Sequence, residues 1–133
     1  MNQTRRVLGL DIGTVRIGVA LADETMRIPY PYGVIEVNGQ ELDAIKQLIS
    51  KNDISTVVVG YPRNQSGEPT KQTAVVEQMI EPLREYVDIR FQDESLTSVT
   101  AENRLKARGK NYTKGDIDAE AAVIILEDYL EVN

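Results

Sequence analysis

What most constrains this chain is a change of hydrophobic period near residue 38. Before it, apolar residues come in strand-like runs. Val7-Leu8-Gly9-Leu10 ends on Asp11, Ile17 to Leu21 is again apolar, and Ile12-Gly13-Thr14 lies between them. Gly13 is placed to supply the positive φ of a tight hairpin. Ile28 to Val37 predicts a third strand, which Pro29 and Pro31 confine to an edge or a bulge. After residue 38, Leu42, Ile45, Leu48 and Ile49 fall at helical spacing and predict a helix over residues 39–52. Ile54 to Gly60, with Val57-Val58-Val59 at its heart, reads as a strand buried on both faces, the parallel-sheet type. Tyr61 to Pro69 follows as a loop.

A helix is expected over 70–86, kinked or split at Pro82. A fifth strand runs from Val87 to Gln92 and leads into Asp93-Glu94. Ser98 to Arg108 predicts another helix, stopped by Gly109. A polar linker, Asn111 to Gly115, precedes a strongly amphipathic helix from Ile117 to Leu130. The order βββαβαβαα implies an α/β fold: a mixed five-stranded sheet, three antiparallel strands and then βα units, flanked by helices. The 133 residues give room for one real core, so a single domain over residues 1–133 is expected.

The absent residue types narrow the chemistry. There is no His, Cys or Trp. Ser/His/Asp and Cys/His nucleophiles, His acid–base catalysis and His/Cys zinc sites are therefore excluded. Carboxylates, hydroxyls, Lys, Arg or a bound ion must do any catalysis, and an oxygen-only ligand set favours Mg²⁺ or Mn²⁺. No apolar run approaches a bilayer span and no signal-peptide pattern precedes Val7, so a cytoplasmic protein without membrane contact is expected.

Three carboxylates stand out as a candidate metal site, Asp11, Glu94 and Asp118. Asp11 ends an apolar strand, where an acid often only opens a turn. Glu94 ends the fifth strand, and alternation sends Asp93 to the opposite face. Asp118 is the most informative. Asp116 suits the N-cap of the last helix, which leaves Asp118 without a capping task. Ala121, Ala122 and Ile125 follow at helical spacing, so Asp118 lies on or beside the buried stripe. A carboxylate there suffers desolvation unless a cation compensates.

Leu8-Gly9-Leu10-Asp11-Ile12-Gly13-Thr14-Val15-Arg16-Ile17-Gly18-Val19-Ala20 resembles the opening motif of the YqgF family, also called RuvX-like. Val59-Gly60-Tyr61-Pro62 with Gly67 resembles its second motif, and Asp93-Glu94-Ser95-Leu96-Thr97-Ser98 with Ala101 its third. Ile117-Asp118-Ala119-Glu120-Ala121-Ala122-Val123-Ile124-Ile125-Leu126 resembles the fourth. The likeness runs in order through residues 6–130. It implies a ribonuclease H-like fold, Mg²⁺-dependent endonuclease activity and maturation of the 5′ end of pre-16S rRNA. Holliday junction resolution in DNA recombination and repair is the older assignment. Carried over by motif, the acidic site again falls on Asp11, Glu94 and Asp118. Ser95 and Val15 stand where the family usually has Arg and Lys, and both changes remove positive charge near the presumed phosphate path.

The formal net charge of −6 argues against generic polyanion binding, but the charges are unevenly placed. Arg104, Lys106, Arg108, Lys110 and Lys114 fall in a stretch without acids, beside Asp118. Together with Arg16, Arg63 and Lys71 they are the candidate phosphate contacts, against the alternative of a solvated helix face. Tyr61 and Tyr112 are candidates for base stacking, and Thr14, Asn64 and Thr97 for orienting water or phosphate. The expected partner is nucleic acid, pre-rRNA or branched DNA, bound by a monomer or weak homodimer. Competing expectations are a nucleotide-binding lobe, since Leu10-Asp11-Ile12-Gly13-Thr14 also looks like an ATPase phosphate motif, and a non-catalytic interaction module.

Overall fold

The computed structural model describes residues 5–62, 71–94 and 97–133, with residues 62 and 94 described by backbone alone. Strands β1 (Arg6–Ile12), β2 (Arg16–Asp23) and β3 (Tyr30–Glu36) form an antiparallel meander. Helix α1 (Glu41–Lys51) leads to β4 (Ile54–Pro62), and α2 (Lys71–Ile80) with a 3₁₀ turn (Glu81–Glu85) leads to β5 (Asp88–Glu94). Helices α3 (Thr97–Ala107) and α4 (Lys114–Val132) follow. Among the described residues the sheet has five strands in the order β3-β2-β1-β4-β5, with β4 parallel to both β1 and β5.

The expected mixed sheet is therefore present, and the strand and helix limits differ from expectation by a few residues. Pro82 does split the second helix: the 3₁₀ turn begins around it, because proline has no N–H for the α-helical ladder. β3 is an edge strand, and Pro31 sits opposite Ala20 where the register shifts. The predicted loop after β4 starts later than expected, since Tyr61 and Pro62 still pair with Asp93 and Glu94. Gly13 does not use a positive φ. Its small size is what the hairpin needs: the Gly13 N–H donates to the Arg16 carbonyl at 3.0 Å, and a Cβ would lie 2.7 Å from that same oxygen.

Side-chain alternation sorts the sheet into two faces. Leu8, Leu10, Ile12, Val19, Val57 and Val59 point to the side covered by α1 and α2, where Ile45, Leu48, Val76 and Ile80 meet them. Val7, Ala20, Ala22 and Val58 point to the other side, against Ala122, Val123, Ile125 and Leu126 of α4. Helix α3 then packs outside α4, through Ala101 against Ala121 and Ile124. This extra layer corrects the expected amphipathic helix. Every residue from Ala119 to Leu126 is buried, because α4 is covered by the sheet on one side and by α3 on the other.

The start of α4 also differs. Thr113 is the N-cap, and Asp116 is the acid three residues on that completes a capping box. The Asp116 N–H donates to Thr113 Oγ1 at 3.1 Å, and the Thr113 N–H donates to Asp116 Oδ2 at 2.9 Å. Lys114 and Gly115 thus belong to the first turn, and Thr113 takes the cap expected of Asp116 because its hydroxyl has an acid at the reciprocal spacing.

The far end of α4 carries Glu127, Asp128 and Glu131, with no base in the last turn. Partial burial, then repulsion from Glu127 and Glu131, raises the Asp128 carboxyl above its ordinary value, against the opposing pull of Arg104. The folded state therefore favours the protonated acid. That contribution is full below the unfolded pKa and is lost as pH rises through the raised folded value. Asp128→Asn is expected to raise Tm at neutral pH, and the gain should shrink on acidification through the carboxylate range. A gain that grows in acid would contradict this assignment.

Candidate active site

Two carboxylates from opposite ends of the chain are brought to one place by a backbone contact. Gly18 is the strand partner of Asp11 across the β1–β2 pair. Directly opposed residues share a face of the sheet. A Cβ added at Gly18 would lie 1.9 Å from the main-chain oxygen of Asp118, so the first turns of α4 rest directly on the strand. Gly9, two residues before Asp11, meets α4 in the same way: a Cβ there would lie 2.5 Å from Leu126 Cγ. Asp11 and Asp118 therefore flank Gly18 on the α4 side of the sheet.

The third expected ligand is placed by backbone alone. Glu94 is paired with Pro62 at the C-terminal end of β5. Counting by twos from Val58 and its partner Arg90, residues 62 and 94 fall in the row that runs under α4. Asp93 falls in the other row, with Tyr61 and Phe91, as alternation predicts. Among the described residues no group of three Asp or Glu side chains stands ready to hold a metal ion, and the Glu94 side chain lies outside that description.

Arg16 is bonded to the helical carboxylate of this place. Its Nε donates to Asp118 Oδ2 at 2.7 Å, and the two side chains are 27% and 25% exposed. Beside the pair lies a cleft of about 290 Å³, to which Ser98 and Glu102 of α3 and Lys114 of α4 contribute. Gln72 was missed by sequence reasoning: its Nε2 donates to the Ile12 carbonyl at 3.4 Å, tying the head of α2 to the end of β1. Lys71 is exposed at that head. The Arg63 and Asn64 expectations lie outside the described residues.

The basic stretch divides into two groups. Arg108 grips Glu120 with two bonds, Nη1 to Oε1 at 3.0 Å and Nη2 to Oε2 at 3.2 Å. Arg104 reaches Glu120 at 3.4 Å and Glu127 at 2.8 Å, and Glu127 and Glu120 hold its guanidinium protonated to higher pH than usual. Glu120 is only 2% exposed. A lone acid in the run Ala119 to Leu126, with two arginines four apart upstream, was the signal for this pairing. Lys106, Lys110 and Lys114 remain on the surface.

The two candidate stacking residues have protein partners. Tyr61 meets Phe91 edge-on at 4.9 Å and hydrogen-bonds Glu77. Tyr112 donates to Glu102 Oε2 at 2.7 Å, a bond that raises its phenol pKa. Thr14 is exposed in the β1–β2 turn, and Thr97 is buried at the start of α3.

Residues 5–132 match the family model described as "RuvX: Holliday junction resolvase". The chain belongs to the RuvX family. A relative from Salinibacter ruber is 34% identical, covering 98% of this chain and 95% of its own length. Another, from Synechocystis sp., is 38% identical and covers 99% of this chain and 91% of its own length. Both carry the name "Putative pre-16S rRNA nuclease". Among solved structures, the fold is similar to T. thermophilus RuvC in complex with a Holliday junction substrate, at TM-score 0.54 and 14% identity over 97% of this chain and 96% of that one. It is also similar to the Fowlpox virus resolvase in complex with junction DNA, at TM-score 0.55 and 13% identity over 96% of this chain and 97% of that one. The RuvX chain thus has the ribonuclease H-like fold. Among its described residues no helix is long and apolar enough to cross a membrane.

Two variants probe this construction. Gly18→Ala should cost at least ~3 kcal/mol in urea unfolding, since backbone, and not a yielding side chain, meets the new methyl. An unchanged midpoint would mean that α4 can retreat freely. Replacing Arg104 and Arg108 together by Ala should cost about 3 kcal/mol, the low end for stranding a buried charge, because both guanidinium groups keep solvent contact. Unchanged stability with lost nucleic-acid affinity would instead mark them as phosphate contacts.

Proposed function

We propose that this RuvX chain is a divalent-metal-dependent endonuclease that cleaves structured RNA, with the 5′ end of pre-16S rRNA as its substrate. The observation that carries the reading is the seat of α4 on Gly18, which gathers Asp11 and Asp118 from opposite ends of the chain. The names of the relatives supply the substrate.

The donor set fits a hard cation. With no His or Cys in the chain, carboxylate and other oxygens are the ligands available, as Mg²⁺ or Mn²⁺ prefers. Asp11 and Asp118 would hold the ion, joined by Glu94 from the end of β5. When bound, such an ion stabilises charge on phosphoryl oxygens and lowers the pKa of a coordinated water.

The protein's own groups supply binding and orientation. Arg16 and Lys114 border the cleft and offer positive charge to a phosphodiester backbone. Lys106, Lys110 and Lys71 are exposed and are further candidate phosphate contacts. The net charge of −6 disfavours non-specific nucleic-acid binding, so affinity rests on such local bases. The protein acts in the cytoplasm as a monomer or weak homodimer.

The family description and the junction-bound structural relatives favour one second reading, a resolvase for branched DNA. A symmetric junction calls for a dimer that makes paired nicks. Cleavage of a pre-16S 5′ end and of a four-way junction, compared at equal Mg²⁺, separates the two.

The site itself is tested by Asp11→Asn and Asp118→Asn. Each should lower Mg²⁺-dependent cleavage at least ~100-fold, by the size of losses when groups that only support metal ligands are removed, while circular dichroism stays native. Cleavage retained in either variant would remove that residue from the site. Activity absent from the wild type on every substrate, with metal also unbound, would favour an inert interaction module.

A further inference from the structure

We propose that Arg16 is an exchangeable counter-ion of Asp118: its guanidinium and a divalent cation compete for one carboxylate, and the cation's arrival frees the guanidinium for substrate phosphate. This rests on the metal-site reading above and assigns Arg16 a second role within it.

The pair is built to open. Nε of Arg16 meets Oδ2 of Asp118 at 2.7 Å, a single contact through one nitrogen. Arg108, by contrast, holds Glu120 through both terminal nitrogens, and Glu120 is 2% exposed. A forked bond to a buried carboxylate is costly to exchange, and a one-point bond to a carboxylate about a quarter exposed is much less so.

The surroundings let the side chain move while the backbone stays. Arg16 opens β2, and its carbonyl is fixed by the Gly13 N–H at 3.0 Å. The Val15 carbonyl next to it accepts from the Val37 N–H at 3.0 Å. Asp118 is equally fixed, since its own carbonyl lies on Gly18. A rotation about the Arg16 side chain is therefore the available change. The adjoining cleft of about 290 Å³ receives it, and Lys114 and Ser98 there offer a second cation and a hydroxyl to the same phosphate.

The sign of the effect follows from electrostatics. A divalent ion at Asp118 must displace or oppose a positive group a few ångströms away. Removing that group strengthens metal binding while it removes a phosphate contact. An arginine that only orients Asp118 gives the opposite sign, weaker binding once it is lost.

The experiment is an Mn²⁺ titration of the full chain at low ionic strength, read by electron paramagnetic resonance, for wild type, Arg16→Gln and Asp118→Asn. Arg16→Gln should bind Mn²⁺ roughly tenfold more tightly than wild type, with the gain shrinking as salt is added. The same variant should cleave more slowly at saturating metal. Asp118→Asn should lose the site. In the wild type, the Arg16 Nε–H resonance should shift and exchange faster with water as Mg²⁺ saturates, a readout independent of how any variant folds. Unchanged or weaker Mn²⁺ affinity in folded Arg16→Gln, or an Nε–H that does not respond to Mg²⁺, would overturn the exchange. A wild type that binds no Mn²⁺ would overturn the metal-site reading first. Mn²⁺ affinity retained in Asp118→Asn would place the ion elsewhere and end the proposal.

Discussion

The main-chain carbonyl of Asp118 lies against the backbone of Gly18, and the placement of α4 depends on that contact. A helix normally stands off a sheet by the length of the side chains between them. Here Gly9 and Gly18 remove those side chains from two neighbouring strands, and Ala122 lies over the first of them. The approach brings a helical carboxylate to the level of a strand carboxylate. It also explains why α4 buries the whole run Ala119 to Leu126: a helix pressed so close to the sheet leaves its outer side for α3 to cover.

Charge is divided by the same layering. Inside the α3–α4 interface, Glu120 is compensated by Arg104 and Arg108, and these two arginines serve the packing of one helix on another. Arg16 and Lys114 instead line the cleft, and Lys106 and Lys110 are exposed. A run of basic residues in a sequence thus contains two populations with different work. Only the partner of each side chain separates them.

Much of the fold was legible because period and punctuation report local structure directly. The switch after residue 38 marked the change from meander to βα units, Pro82 marked the break after α2, and Pro31 marked an edge strand. Gly109, at φ 73°, stands just past α3 as a helix stop should. Asp11 could be singled out because it ends an apolar run, and Asp118 because it lies on or beside the buried stripe of its helix without a capping task. What periodicity did not report was a second covering layer, so α4 read as one-faced although α3 hides its other side. Glu120 was missed for the same reason, and Gln72 because its hydrogen bond crosses between elements 60 residues apart. Thr113 and Asp116 are both good caps, and only the hydrogen-bond directions show which of them leads.

The closure of α4 on the first hairpin has a consequence for how the protein is made. Arg16 and Asp118 are 102 residues apart in sequence, with every strand of the sheet lying before the helix that joins them. On a ribosome the β1–β2 hairpin can pair as soon as it emerges, but the carboxylates cannot meet until α4 has left the tunnel. Contacts of such long sequence separation also form late in folding, because the loop they close is entropically costly. A chain interrupted before α4 could therefore hold a sheet and yet have no assembled site. The place where Asp11 and Asp118 meet is then assembled only after all five described strands have been made.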